Sequence, residues 1–179
     1  MHEYRRRWFT NYAYQPVVGN IIDRIDKFNG IWTVQFDLKI SGPALSSHAS
    51  VIHLTTGTDA QRPGDRNPSV FVQPGGSQLH ISAYVNGNNN YHFTTPNHLS
   101  LDIWHTIILQ QQVENGLLMY AIIIDGTVLL SVENVTPLTV YNTIVYGGDP
   151  WWIAPNAVIK NLEIVTRPLI CKNLLTSNA

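Results

Sequence analysis

The segment Ile31–Ile40 constrains the fold more than any other part of the chain. Trp32, Val34, Phe36, Leu38 and Ile40 alternate with Thr33, Gln35, Asp37 and Lys39. A period of two puts each set on its own face of an extended chain, so one face is buried and the other is wet. Strands of parallel sheets are apolar on both faces, so this pattern belongs to an antiparallel sheet.

Further strands follow, separated by turn residues. Val17–Asp23, Val51–Thr55, Ser69–Gln73, Gln78–Val85, Asn90–Thr95, Trp104–Val113, Leu117–Ile124, Thr127–Glu133, Tyr141–Tyr146 and Ala157–Val165 read as strands, with a further one near Trp8. Asn86-Gly87 and Asp125-Gly126 supply residues that tolerate positive φ in tight hairpins. No window carries the i, i+3, i+4, i+7 pattern of a capped helix. About eleven or twelve short strands without a fixed repeat predict an all-β fold, a two-sheet antiparallel β-sandwich.

The 179 residues suit one domain, with 1–166 as the sandwich and 167–179 as a tail or edge segment. Hydrophobic residues make up 44% and charged residues 13%, which excludes intrinsic disorder. A net charge of −1 argues against nucleic acid as a partner. No run of about 18 apolar residues occurs, so no membrane insertion is expected. Thr10, Asn11 and Gln15 break any apolar stretch behind Arg5–Arg7, so no signal peptide is read there. The sequence then suits an intracellular protein or a mature, excised domain. The single cysteine, Cys171, cannot form an intrachain disulfide; it reads as a small hydrophobe or as half of an interchain bridge.

Several polar residues could carry function. His53, His80 and His92 each oppose the apolar side chains of their strands, as does Tyr84. If those strands adjoin, the histidines share a polar face with Gln35, Asp37 and Lys39. That face admits three roles: a solvated sheet surface, a sugar- or peptide-binding face, or a zinc site if the three rings converge. The polar loop Gly57–Pro68 offers Asp59, Asp65 and Asn67 as hard oxygen ligands for calcium, or an internal Asp65–Arg66 ion pair. Gly147–Trp152 places Asp149 beside Trp151 and Trp152, which either close the end of the sandwich or offer an exposed ring for stacking. Asn134-Val-Thr136 is a glycosylation sequon, followed directly by Pro137. Enzyme signatures are missing: no Gly-x-Ser-x-Gly occurs, and Glu3, Glu114, Glu133 and Glu163 are scattered rather than paired along a strand.

The ordered series Trp32–Lys39, Val51–Gly57, Gly64–Pro68, Leu79–Ser82, Asn86–Asn88 with Tyr91 and Phe93, Trp104, Asp149–Trp151 and Ile159–Leu162 resembles a concanavalin A-like lectin domain. It is similar to laminin G-like and pentraxin jelly rolls of metazoan extracellular proteins. The resemblance spans roughly residues 17–166. It implies a non-catalytic, extracellular recognition module for a glycan or an extracellular protein, with calcium at rim loops in some relatives. The expected ligand-binding residues are His53, Arg66, His80, Tyr84, His92, Asp149 and Trp151, and Asp65 and Asn67 are the expected calcium ligands. A self-assembling adhesion domain, with a homo-oligomer formed through exposed strand edges, is the alternative. A divergent glycoside hydrolase on the same sandwich is a third.

Overall fold

The computed structural model describes residues 5–8 and 12–169. Cys171 and most of the expected tail lie outside the described residues. The described residues form twelve strands: β1 (Arg5–Trp8), β2 (Ile21–Phe28), β3 (Ile31–Ile40), β4 (Ala49–Thr55), β5 (Ser69–Val72), β6 (Leu79–Val85), β7 (Asn88–Thr94), β8 (His105–Glu114), β9 (Leu117–Ile124), β10 (Thr127–Glu133), β11 (Val140–Tyr146) and β12 (Ala157–Arg167). One sheet runs β1-β12-β3-β8-β9-β10 and the other β2-β11-β4-β5-β6-β7. Every strand pairing is antiparallel.

The alternation in β3 is realised directly. Trp32, Val34, Phe36, Leu38 and Ile40 are buried, and the intervening polar residues are half-exposed. They meet Ile52, Leu54, Leu79 and Ile81 of the second sheet in one continuous core. Removing so many large apolar groups from water is the main driving force for joining the two layers.

The second strand lies later than the sequence suggests. Val17 and Val18 are 57% and 54% exposed and sit before a turn, and the strand starts at Ile21. The cause is local. Gly148 approaches Val17 so closely that a Cβ there would lie 2.6 Å from the Val17 carbonyl oxygen. The Val17 amide bonds to the Gly147 carbonyl, so residues 17–18 are tied to a loop rather than to a strand.

A polar clasp joins the two sheets at the β6–β7 turn. Asn134 Oδ1 accepts from the Asn86 amide, and Asn134 Nδ2 donates to the Tyr84 carbonyl and to Gln111 Oε1. Asn86 answers by donating to the Glu133 carbonyl and accepting from the Val135 amide. The sequon asparagine is therefore buried and its amide fully engaged. Replacing it should leave buried partners unsatisfied: Asn134→Ala is expected to lower stability by about 1–3 kcal/mol. Urea unfolding would check this; an unchanged midpoint would show the clasp to be dispensable.

Candidate functional site

The outer face of the second sheet carries the residues with chemistry. Strand register lines up His53, Ser69, Ser82 and His92 across β4, β5, β6 and β7, and Phe71, His80 and Thr94 in the neighbouring row. The three histidines of the sequence reading thus share one sheet. Gln35, Asp37 and Lys39 do not join them, because β3 lies in the other sheet between β12 and β8.

His53 departs most from expectation. It faces away from the core, yet it is 0% exposed. Two loops fold over it. Its Nδ1 lies 2.7 Å from Asp149 Oδ2, and its Nε2 lies 2.5 Å from the Asp65 carbonyl oxygen. A carbonyl only accepts, so Nε2 donates to it, while Nδ1 hydrogen-bonds the Asp149 side chain. Asp149 is equally buried; its other oxygen accepts from the Trp151 and Trp152 amides. His53 and Asp149 are thus positioning residues, and their expected direct contact with ligand is corrected by this burial.

Asp65 organises the loop between β4 and β5. Its carboxylate accepts from Thr56 Oγ1, Thr58 Oγ1 and the amides of Ala60 and Arg62. Gly64 is required nearby: at φ +89, a Cβ would lie 2.8 Å from both Thr56 and Val140 side chains. Asn67 Oδ1 accepts from the Tyr84 amide. Both oxygen sets are engaged in hydrogen bonds within the fold. The described residues hold no cluster of three or more His, Cys, Asp or Glu suited to a metal ion.

Arg66 pairs with Asp59, not Asp65. Its Nε and Nη2 meet the two Asp59 oxygens at 2.5 and 2.8 Å, and Nη1 donates to Asn90 Oδ1. Trp152 Nε1 also donates to Asp59, at 2.8 Å. Burial pushes the Asp59 carboxyl up, but the bonds from Arg66 and Trp152 outweigh it and hold the group below the usual carboxylate range.

Around this pair the rings of His48, Phe71, His80 and Trp152 pack edge to face or tilted, with centroids 5.3 to 6.4 Å apart. With Gln61 and Arg66 they line a pocket of about 190 Å³. Gln61 holds a positive φ of 59°, a conformation that costs a non-glycine residue energy and is concentrated at functional sites. Exposed His92 stacks on His80 at 5.0 Å. Tyr84, half-buried on β6, lies outside the pocket lining. Trp151 is 41% exposed and rests edge-on against His53 and Tyr146. Thr58, Asp59, Ala60 and both tryptophans line a second, open depression of about 370 Å³.

Sequence reasoning missed His48, Gln61 and Phe71. Phe71 had a usable signal: in β5 the core takes Val70 and Val72, which leaves a large ring facing outward. A separate cavity of about 340 Å³, lined by Pro43, Leu45, Leu99, Pro155 and others, is mostly apolar. Its one titratable side chain, His98, accepts from the Ser77 amide through Nδ1. The dense array of polar and aromatic groups belongs to the smaller pocket.

By sequence, the chain matches no protein-family model and no curated protein. By structure it is similar to the native heptameric SAP-like pentraxin of Limulus polyphemus, with a TM-score of 0.55, 14% identity, and coverage of 85% of this chain and 74% of that one. It is also similar to the CBM40 domain of the Ruminococcus gnavus IT-sialidase, solved with α2,3-sialyllactose (0.53, 13%, 90% and 94%). A Trypanosoma rangeli sialidase solved with sialic acid also matches (0.54, 13%), through 82% of this chain and only 22% of the sialidase. The fold is therefore a two-sheet antiparallel jelly-roll sandwich, shared with these structures.

Two outcomes follow from the site. Asp149→Ala strands the buried His53 and should cost about 3–5 kcal/mol, with a changed tryptophan near-UV signal; a stable variant with unaltered tryptophan spectra would contradict the positioning role. Burial, then the positive neighbours His92, His48 and Arg66, push His80 from 6.5 down to about 4. The unfolded chain binds this proton first, so His80's contribution is complete above pH 6.5 and is lost as pH falls towards 4. Urea titrations across that window should show a steeper loss for the wild type than for His80→Gln; parallel curves would refute the assignment.

Proposed function

We propose that this protein is a carbohydrate-recognition module that binds a glycan without transforming it. The observation that carries the reading is the pocket of His48, Phe71, His80 and Trp152 with Gln61 and Arg66 at its edge. Aromatic faces pack against the C–H face of a sugar ring, and histidine, amide and guanidinium groups orient its hydroxyls. Asp59 compensates the Arg66 charge within the site, which favours hydroxyl recognition over simple attraction of an anion. The pocket volume lies below the roughly 300–1,000 Å³ of drug-sized sites, which suits one ring. The carbohydrate-binding domains among the structural neighbours support this reading at the level of fold.

The non-catalytic part of the proposal rests on His53. A histidine–carboxylate pair is the beginning of an acid–base device, but here Nε2 faces the Asp65 carbonyl, out of contact with solvent. The finer likeness to laminin G modules and an extracellular setting belong to the same proposal.

A glycan array followed by calorimetry tests it. Wild-type protein should retain a defined glycan class, and Trp152→Ala should weaken that binding by about tenfold, the loss expected for one aromatic contact. Binding unaffected by Trp152→Ala and by His80→Ala would place any sugar site elsewhere.

A further inference from the structure

Trp152 is a shared wall. One side of its position borders the pocket of His48, Gln61, Arg66, Phe71 and His80; the other borders the open depression of Thr58, Asp59, Ala60 and Trp151. We infer that the two depressions are adjoining subsites for one oligosaccharide, with one sugar ring in the inner pocket and the next resting on Trp151. This rests on the sugar-binding reading and adds the ligand's length.

Four features support it. Trp152 is fixed from both ends, by the Asp149 carboxylate on its amide and the Asp59 carboxylate on its indole N–H, so it can serve as a rigid divider. Trp151 is ordered by the same Asp149 oxygen and is backed by His53 and Tyr146, yet 41% of its surface remains exposed. A large ring held this firmly and left open is a contact platform prepared before binding, which lowers the ordering cost on association. Asp59 spans both subsites, binding Arg66 of the inner pocket while lining the outer depression. The inner volume of about 190 Å³ suits a single ring, and the outer depression of about 370 Å³ adjoins it through the shared Trp152.

The test compares ligand lengths. The probes are the methyl glycosides of glucose, galactose, mannose and N-acetylglucosamine. They are set beside maltose, cellobiose, lactose, mannobiose and chitobiose and the corresponding trisaccharides, by calorimetry and tryptophan fluorescence. In the responding series the disaccharide should bind about five- to tenfold more tightly than the methyl glycoside, as one added aromatic contact predicts. Trp151→Ala should abolish that gain. Because Trp151 also packs on His53, Ala60→Arg provides a second variant: Ala60 is exposed, and a long side chain there obstructs the outer depression without altering that packing. It should remove the same gain. Equal affinities for all lengths, two methyl glycosides bound per protein, or equal losses for short and long ligands in both variants would overturn the two-subsite inference while leaving sugar binding intact. Silence from every probe would overturn both.

Discussion

The outer face of this sandwich depends on one buried side chain. His53 points out of the core, where a sheet residue would ordinarily meet water, and it bonds instead to Asp149 in one loop and the Asp65 carbonyl in another. These two loops have no strand pairing to hold them together. A charge-assisted bond in a dry setting is stronger than its exposed counterpart, and it fixes geometry as well as energy. Through Asp149 that order passes to the amides of Trp151 and Trp152, and through the Asp65 loop to Asp59 and Arg66. The aromatic surface is therefore positioned by a buried residue, which itself packs edge-on beneath Phe71 and Trp151.

This division of labour suits a recognition surface. The β-sheet supplies a rigid platform: Phe71 and His80 project from adjacent strands whose opposite faces are locked in the core. The loops supply Gln61, Arg66 and Trp152, which close around that platform. Side chains on sheets are held more precisely than side chains on loops, and a loop reaches comparable precision only when its polar groups are saturated internally. Asp65, with two hydroxyl and two amide donors, achieves this for residues 56–65.

Much of the architecture was legible because period-two alternation is a direct consequence of strand geometry. β3 can be read from side-chain order alone, whereas β9 and β10 are marked by the Asp125-Gly126 turn between two apolar runs. Strand order is another matter. β3 pairs with β12 and β8, far away in sequence, so nothing in its own residues shows that Asp37 and Lys39 belong to a different sheet from His80. Parity was equally informative and equally incomplete. It gave the correct direction for His53 and the wrong environment, because facing away from the core means exposure only where no loop returns over the sheet. The Asp65–Arg66 pairing failed because the Asp65 carboxylate is taken up by hydroxyls and amides of its own loop, and Arg66 reaches Asp59 across that loop.

The same reasoning limits what the fold neighbours convey. Jelly rolls place different loops over a common sheet, and identities of 13% and 14% leave those loops unconstrained. What the chain has of its own is the placement of acids. Asp59, Asp65 and Asp149 all lie where a rim carboxylate could meet a metal or a substrate, and each is instead spent on donors from the protein itself: a guanidinium and an indole, a loop's hydroxyls and amides, an imidazole. Carboxylates engaged in this way hold loops and aromatic rings in fixed positions, so the geometry of this surface is set by acids bonded within the protein itself.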